Sequence, residues 1–135
     1  MGVILDSSEI IALERNRGAV DGLVAGREDE PFGISVITVA ELLHGVERAD
    51  TEIRKIRRQA FVEKVIETIP VFPFDSGMAR IYARIWASLW KRGFKVGAHD
   101  LIIAATAISL DYTVLTANRR DFGKIEGLRL EVRPA

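Results

Sequence analysis

The chain has 135 residues, 48% apolar and 28% charged, a composition that suits one folded core and excludes a disordered or fibrous chain. Its 19 basic and 19 acidic residues exclude an overall basic nucleic-acid coat, although an acidic pocket beside basic rims would sum to the same zero. Cysteine is absent, which removes disulfides, zinc thiolates and thiol nucleophiles.

Residues 2–6 read as a short buried strand, and the chain enters it without a basic leader. Ser7 or Ser8 can cap the helix that follows, with Glu9 in its first turn. Gly18, Gly22 and Gly26 weaken a helix around 19–25. A second strand is expected from Gly33 to Ile37, and a helix from Thr38 with Val39, Leu42, Leu43 and Val46 on one face. Residues 51–68 form a charged amphipathic helix, with Ile53, Ile56, Phe61, Val65 and Ile69 expected to point inward. The prolines at 70 and 73 place the strand from Pro70 to Phe74 at an edge or an end. A long helix over 75–92 stops at Gly93, and Tyr82, Trp86 and Trp90 on it read first as core and second as an interface. The helix over 98–110 is apolar almost all round and so buried. Strands at Tyr112–Thr116 and Leu128–Val132 complete the chain. Alternation of this kind predicts a single domain over 1–135, a three-layer α/β/α architecture with a mostly parallel sheet of four to five short strands. No stretch reaches the ~20 apolar residues that span a bilayer, so a cytoplasmic protein with no membrane contact is expected.

Four acids far apart in sequence each fall where a strand ends or a helix begins: Asp6, Glu41, Asp100 and Asp121. In an open α/β sheet, ligands bind at the carboxyl ends of the strands, and that rule would gather all four at one edge. Two like charges about 4 Å apart repel by roughly 4 kcal/mol at an effective dielectric near 20, so such a cluster needs a counter-charge. Oxygen-only ligands favour Mg²⁺ or Mn²⁺. Each acid also has a plainer reading. Thr38 and Glu41 match a helix capping box, Asp100 suits a helix N-terminus, Asp6 can cap the next helix, and Asp121 can pair with Arg119 or Arg120 on the surface.

Asp6-Ser7-Ser8 after an apolar strand, Thr38-Val39-Ala40-Glu41-Leu42, Gly97-Ala98-His99-Asp100-Leu101 and Thr116-Ala117-Asn118-Arg119-Arg120-Asp121-Phe122 together resemble the PIN-domain ribonucleases, with the VapC-type toxins of bacterial toxin–antitoxin pairs as the best match. The four stretches occur in order over essentially the whole chain. The resemblance implies Mg²⁺- or Mn²⁺-dependent cleavage of RNA, homodimerisation, and inhibition by a co-expressed antitoxin that lays a segment across the groove and brings a basic side chain to the acids. Asp6, Glu41 and Asp100 match the family's main metal-site acids and Asp121 a more variable fourth. Some members carry an acid where this chain has Asn118, so Asn118, Asp121 or both can complete the site. Asp6 and Asp100 are then expected as direct metal ligands, with Glu41 and Asp121 binding directly or through water. Ser7, Ser8 and Thr116 are expected to support them by hydrogen bonds. His99 reads as a helix N-terminal residue rather than a general base.

Because acids repel RNA, substrate phosphates need cations elsewhere. Arg119 and Arg120 are the first candidates, with Arg15, Arg17, Arg80 and Arg84 behind them. Two other readings are a catalytically weak PIN module that binds a partner or RNA, and a PIN nuclease of RNA maturation without an antitoxin. The RNA target, the cleavage sequence, the number of ions and the oligomeric state are not written in the sequence.

Overall fold

A computed structural model describes residues 2–133. Its five strands are β1 (Val3–Leu5), β2 (Phe32–Ser35), β3 (Val71–Phe72), β4 (Thr113–Thr116) and β5 (Arg129–Val132). They form one sheet in the order β3-β2-β1-β4-β5. Every neighbouring pair is parallel. The helices are α1 (Ser7–Arg15), α2 (Val36–Glu47), α3 (Glu52–Thr68), α4 (Ser76–Lys91), α5 (Ala98–Leu110) and the single turn α6 (Arg119–Phe122), with a 3₁₀ segment at Val20–Val24.

The central strand is buried on both faces, and its side chains alternate between two cores. Ile4 packs with Ile85, Leu89, Leu101, Ile103 and Val114, largely under α4 and α5. Val3 and Leu5 pack with Ile10, Ile34, Val46, Val62 and Val65, under α1, α2 and α3. Parallel strands need such cover on both faces, and the three-layer expectation is met. The short β3 lies at the sheet edge, where the prolines beside it remove few ladder hydrogen bonds. Against it β2 needs a glycine, because a Cβ at Gly33 would lie 2.4 Å from the Phe72 ring and 2.7 Å from the Pro70 carbonyl.

Five expectations are corrected. The second strand ends at Ser35, whose hydroxyl accepts from the Ile37 amide at 3.2 Å, so Val36 and Ile37 start α2 in spite of their β-branching. That shift abolishes the Thr38–Glu41 capping box, since Thr38 lies inside the helix and its Oγ1 is buried without a hydrogen-bond partner. The first helix is capped by Asp6, not by Ser7 or Ser8. On α3, Ile53 and Ile56 are 65% and 62% exposed. At about 100° per residue they fall on the side opposite Val62 and Val65, which are buried. The tryptophans of α4 fail as core residues for a related reason. Steps of four advance about 40° beyond a full turn, so a stripe that starts at half-buried Tyr82 rotates out to Trp86 (60% exposed) and Trp90 (78% exposed).

Candidate active site

The sheet order reverses direction at β1, where β2 lies on one side and β4 on the other. A crevice opens at the carboxyl ends of the strands at such a point. Asp6 is the first residue after β1, and its amide donates to the Leu115 carbonyl of β4 at 2.9 Å. Asp6 is 4% exposed, yet both of its oxygens are satisfied. Oδ1 accepts from the Ser7 amide at 2.9 Å. Oδ2 accepts from Ser8 Oγ at 2.9 Å and from Thr116 Oγ1 at 2.7 Å. Each hydroxyl that donates to Asp6 also accepts a backbone amide: Thr116 from Asn118 at 2.9 Å, Ser8 from Ala117 at 3.2 Å. The end of β4 and the start of α1 are thereby tied through one carboxylate.

The other three acids lie in the same neighbourhood, for the charges of Asp6, Asp121 and Glu41 all act on Asp100. Asp100 lies in the first turn of α5. Burial, followed by the charges of Asp6, Asp121 and Glu41, pushes its carboxyl up from 3.8 to about 6, while His99 opposes the shift. Glu41 lies in the second turn of α2, and burial raises its pKa, with His99 pulling it down and Asp6 pushing it up. His99 Nδ1 is 3.6 Å from Glu41 Oε2. Glu41 Oε1 is buried with no hydrogen-bond partner. Asp121, in α6, is held by Asn118, whose Oδ1 accepts from the Asp121 amide and whose Nδ2 donates to Asp121 Oδ2, both at 3.3 Å. Its ion partner is Lys124 at 3.6 Å, and neither Arg119 nor Arg120 pairs with it among the described residues. Both arginines are exposed.

An all-oxygen donor set with an unpaired buried oxygen and a carboxyl destabilised by its neighbours fits a hard divalent cation. Among the described residues no three acid or imidazole groups close around a single ion position by themselves.

Sequence reading missed two features. Glu9 is a buried acid, 5% exposed, and Arg133 Nε donates to its two oxygens at 2.9 and 2.8 Å. The two residues are 124 positions apart and nothing local signals the pair. The contact of His99 with Glu41 was also missed; only the position of His99 beside Asp100 could have suggested it.

The PIN domain family model matches residues 3–128. The chain is 41% identical over 133 residues to Ribonuclease VapC1 of Rickettsia felis, covering 96% of this chain and 95% of that protein. The crystal structure of DNA-bound VapBC from Salmonella typhimurium superposes with a TM-score of 0.86 at 30% identity over 98% of both chains. VapBC-5 of Mycobacterium tuberculosis, a member of the VapBC family of toxin–antitoxin systems, superposes with a TM-score of 0.76 at 30% identity over 100% of both chains. With its parallel sheet, its carboxylates at the strand ends and these likenesses, the chain belongs to the PIN-domain family.

Proposed function

We propose that this protein is a divalent-metal-dependent endoribonuclease that hydrolyses RNA phosphodiester bonds, and that it is the toxin of a VapBC-type pair. The observation that carries the reading is the placing of Asp100, where burial and then the charges of Asp6, Asp121 and Glu41 push its carboxyl up to about 6. Four acids that resist sharing a crevice gain from a bound cation, and the relatives named ribonucleases supply the reaction class. The whole of residues 1–135 serves as one catalytic domain in this reading.

Asp6 and Asp100 would hold the ion, Mg²⁺ or Mn²⁺, directly. When bound, such an ion supplies Lewis-acid chemistry, activating water and offsetting charge on the phosphate and leaving oxygens. Thr116 and Ser8 both donate to Asp6 Oδ2 and fix the carboxylate in one orientation, leaving acceptor capacity on Oδ1. Glu41 and Asp121 would bind the ion directly or through water. Asn118 orients Asp121 rather than replacing it. Glu41, with its raised pKa, is suited to take a proton from the attacking water. An antitoxin that placed a cation among these acids would occupy the same electrostatic deficit and block the site.

The test is cleavage of RNA by the purified protein with Mg²⁺ or Mn²⁺, with excess chelator, and in Asp6→Ala. Divalent-dependent cleavage lost in the variant is expected. Cleavage that persists in chelator would remove the metal mechanism. For the toxin assignment, expression alone should arrest growth and co-expression of the neighbouring reading frame should restore it; harmless expression of active enzyme would favour RNA maturation instead.

A further inference from the structure

We propose that an arginine-lined cleft, running outward from Glu41 along α1 and α3, holds the phosphates of the RNA strand that flanks the cleaved bond; this rests on the ribonuclease reading. Nearest the acids, a cleft of about 380 Å³ is lined by Glu41, Ile11, Arg15, Arg48 and Arg58 among others. A second, of about 540 Å³, is lined by Arg15, Arg17, Arg57, Arg58 and Phe61 among others. Arg15, Arg58 and Glu14 border both, so the two are one continuous channel that begins at a carboxylate and turns cationic.

Beyond Glu41, the acid that borders the channel is Glu14, and it is already paired. Glu14 Oε1 lies 3.6 Å from Arg58 Nε, and Arg58 Nη1 also donates to the Gly45 carbonyl at 3.0 Å, which fixes that guanidinium between α2 and α3. Arg54 is paired to Asp50. Arg15, Arg17, Arg48 and Arg57 have no carboxylate partner among the described residues, and all four are exposed. These four exposed guanidiniums gather positive charge on one face of a chain whose total charge is zero, and a polyanion complements that face. Guanidinium forks suit phosphate oxygens bidentately. Half-buried Phe61 adds an aromatic ring, a surface on which an unpaired base stacks whatever its identity. The order of charge along the channel favours RNA over an acidic protein segment. A strand whose scissile phosphate sits among the acids and that leaves past Glu41 enters the cleft that Glu41 shares with Arg15, Arg48 and Arg58. Arg119 and Arg120 do not border this channel.

The experiment measures binding of a fluorescein-labelled single-stranded RNA of about twelve nucleotides in excess chelator, at several salt concentrations. Arg15→Ala/Arg57→Ala should raise Kd about tenfold and flatten the slope of log affinity against log salt by roughly 1.4, or about 0.7 for each lost phosphate contact. A Lys64→Ala/Lys91→Ala protein of equal charge change should stay near wild type. Arg15→Lys/Arg57→Lys should recover part of the salt slope, which a folding defect would not. With metal present, the loss should sit in KM for the long RNA and shrink for a trinucleotide too short to reach the cleft. Wild-type affinity and slope in Arg15→Ala/Arg57→Ala, or an equal loss in the lysine control, would overturn the cleft and leave the nuclease intact. Arginine-dependent binding with no RNA cut by the wild type would instead sink the ribonuclease reading. A glutamate-only peptide of equal charge that binds these arginines more tightly than RNA would give the cleft to a protein partner and overturn the proposal.

Discussion

The two walls of the acidic crevice are built on opposite terms. On the β1/β4 wall, Asp6 is nearly inaccessible and both its oxygens accept hydrogen bonds, three in all. On the α2/α5 wall, Glu41 keeps a buried oxygen with no partner, and Asp100 is pushed up to about 6. Leaving a buried acceptor unpaired costs about 1–3 kcal/mol, so the second wall is a standing deficit. Glu9 shows that the fold is able to satisfy a buried acid completely, since Arg133 covers both its oxygens. The contrast teaches that one wall fixes a ligand in place while the other stays poor in partners until a cation or a proton arrives. Glu9 and Asp6 are compensated from within the chain; Glu41 and Asp100 are left for compensation from outside it.

The sharpest way to break that contrast is to remove the charge on the deficient wall. Asp100→Asn should lower the RNA cleavage rate by roughly 10²–10³-fold, the scale of losing one well-placed electrostatic group. Because a repelled charge leaves with it, the metal-free variant should be as stable as wild type or more so. Initial rates and a thermal melt check both halves. A marked drop in Tm would mean that Asp100 supports the fold and that the loss of rate says little about a site.

Breaking the satisfied wall should look different. Thr116→Val keeps the shape of β4 but removes the hydroxyl that donates to Asp6 and accepts from the Asn118 amide. A loss of about 10–100-fold in metal affinity or rate is expected, the usual cost of a supporting hydrogen bond behind a ligand. Unlike Asp100→Asn, this variant should also be less stable, by about 1–3 kcal/mol, because buried partners are left unpaired. Denaturant unfolding and a Mn²⁺ titration together distinguish the walls; equal stability changes in the two variants would erase the contrast.

The same division explains what the sequence disclosed. The apolar run Val3-Ile4-Leu5 followed by Asp6, and the all-round apolar α5 opened by Asp100, advertise buried elements with an acid at the end, so the sheet rule alone places both near one edge. Parallel pairing follows from alternation and the prolines around β3 mark the edge, whereas the order β3-β2-β1-β4-β5 is set by packing. Element starts were less legible because capping is decided by competing neighbours. Ser35 and Thr38 are both good caps, and only packing chooses Ser35. Helical stripes of three or four residues were misread wherever the rotation per step was ignored, as for Ile53, Ile56, Trp86 and Trp90. Long-range pairs such as Glu9 with Arg133, and the merging of Arg15 and Arg57 into one cleft, have no local signature at all.

The smallest effect is the most direct reading of the deficient wall, because it follows the proton itself. The Asp100 carboxyl titrates near 3.8 when unfolded and at about 6 when folded. Between those values the folded protein keeps a proton that the unfolded chain releases, so the metal-free protein loses stability as pH rises through that window and levels off above about 6. Allowing for solvent screening of a half-buried group, the change is on the order of 1 kcal/mol. Other carboxylates titrate there too, so the measured quantity is wild type minus Asp100→Asn, followed by denaturant unfolding across the window. Divalent cation should invert the slope. It binds the deprotonated acid, so its stabilisation should be full near neutral pH and fall about tenfold in affinity per pH unit below about 6. A difference curve flat in pH, with Mn²⁺ stabilising equally on both sides of about pH 6, would show that Asp100 carries no deficit and that the two walls are alike.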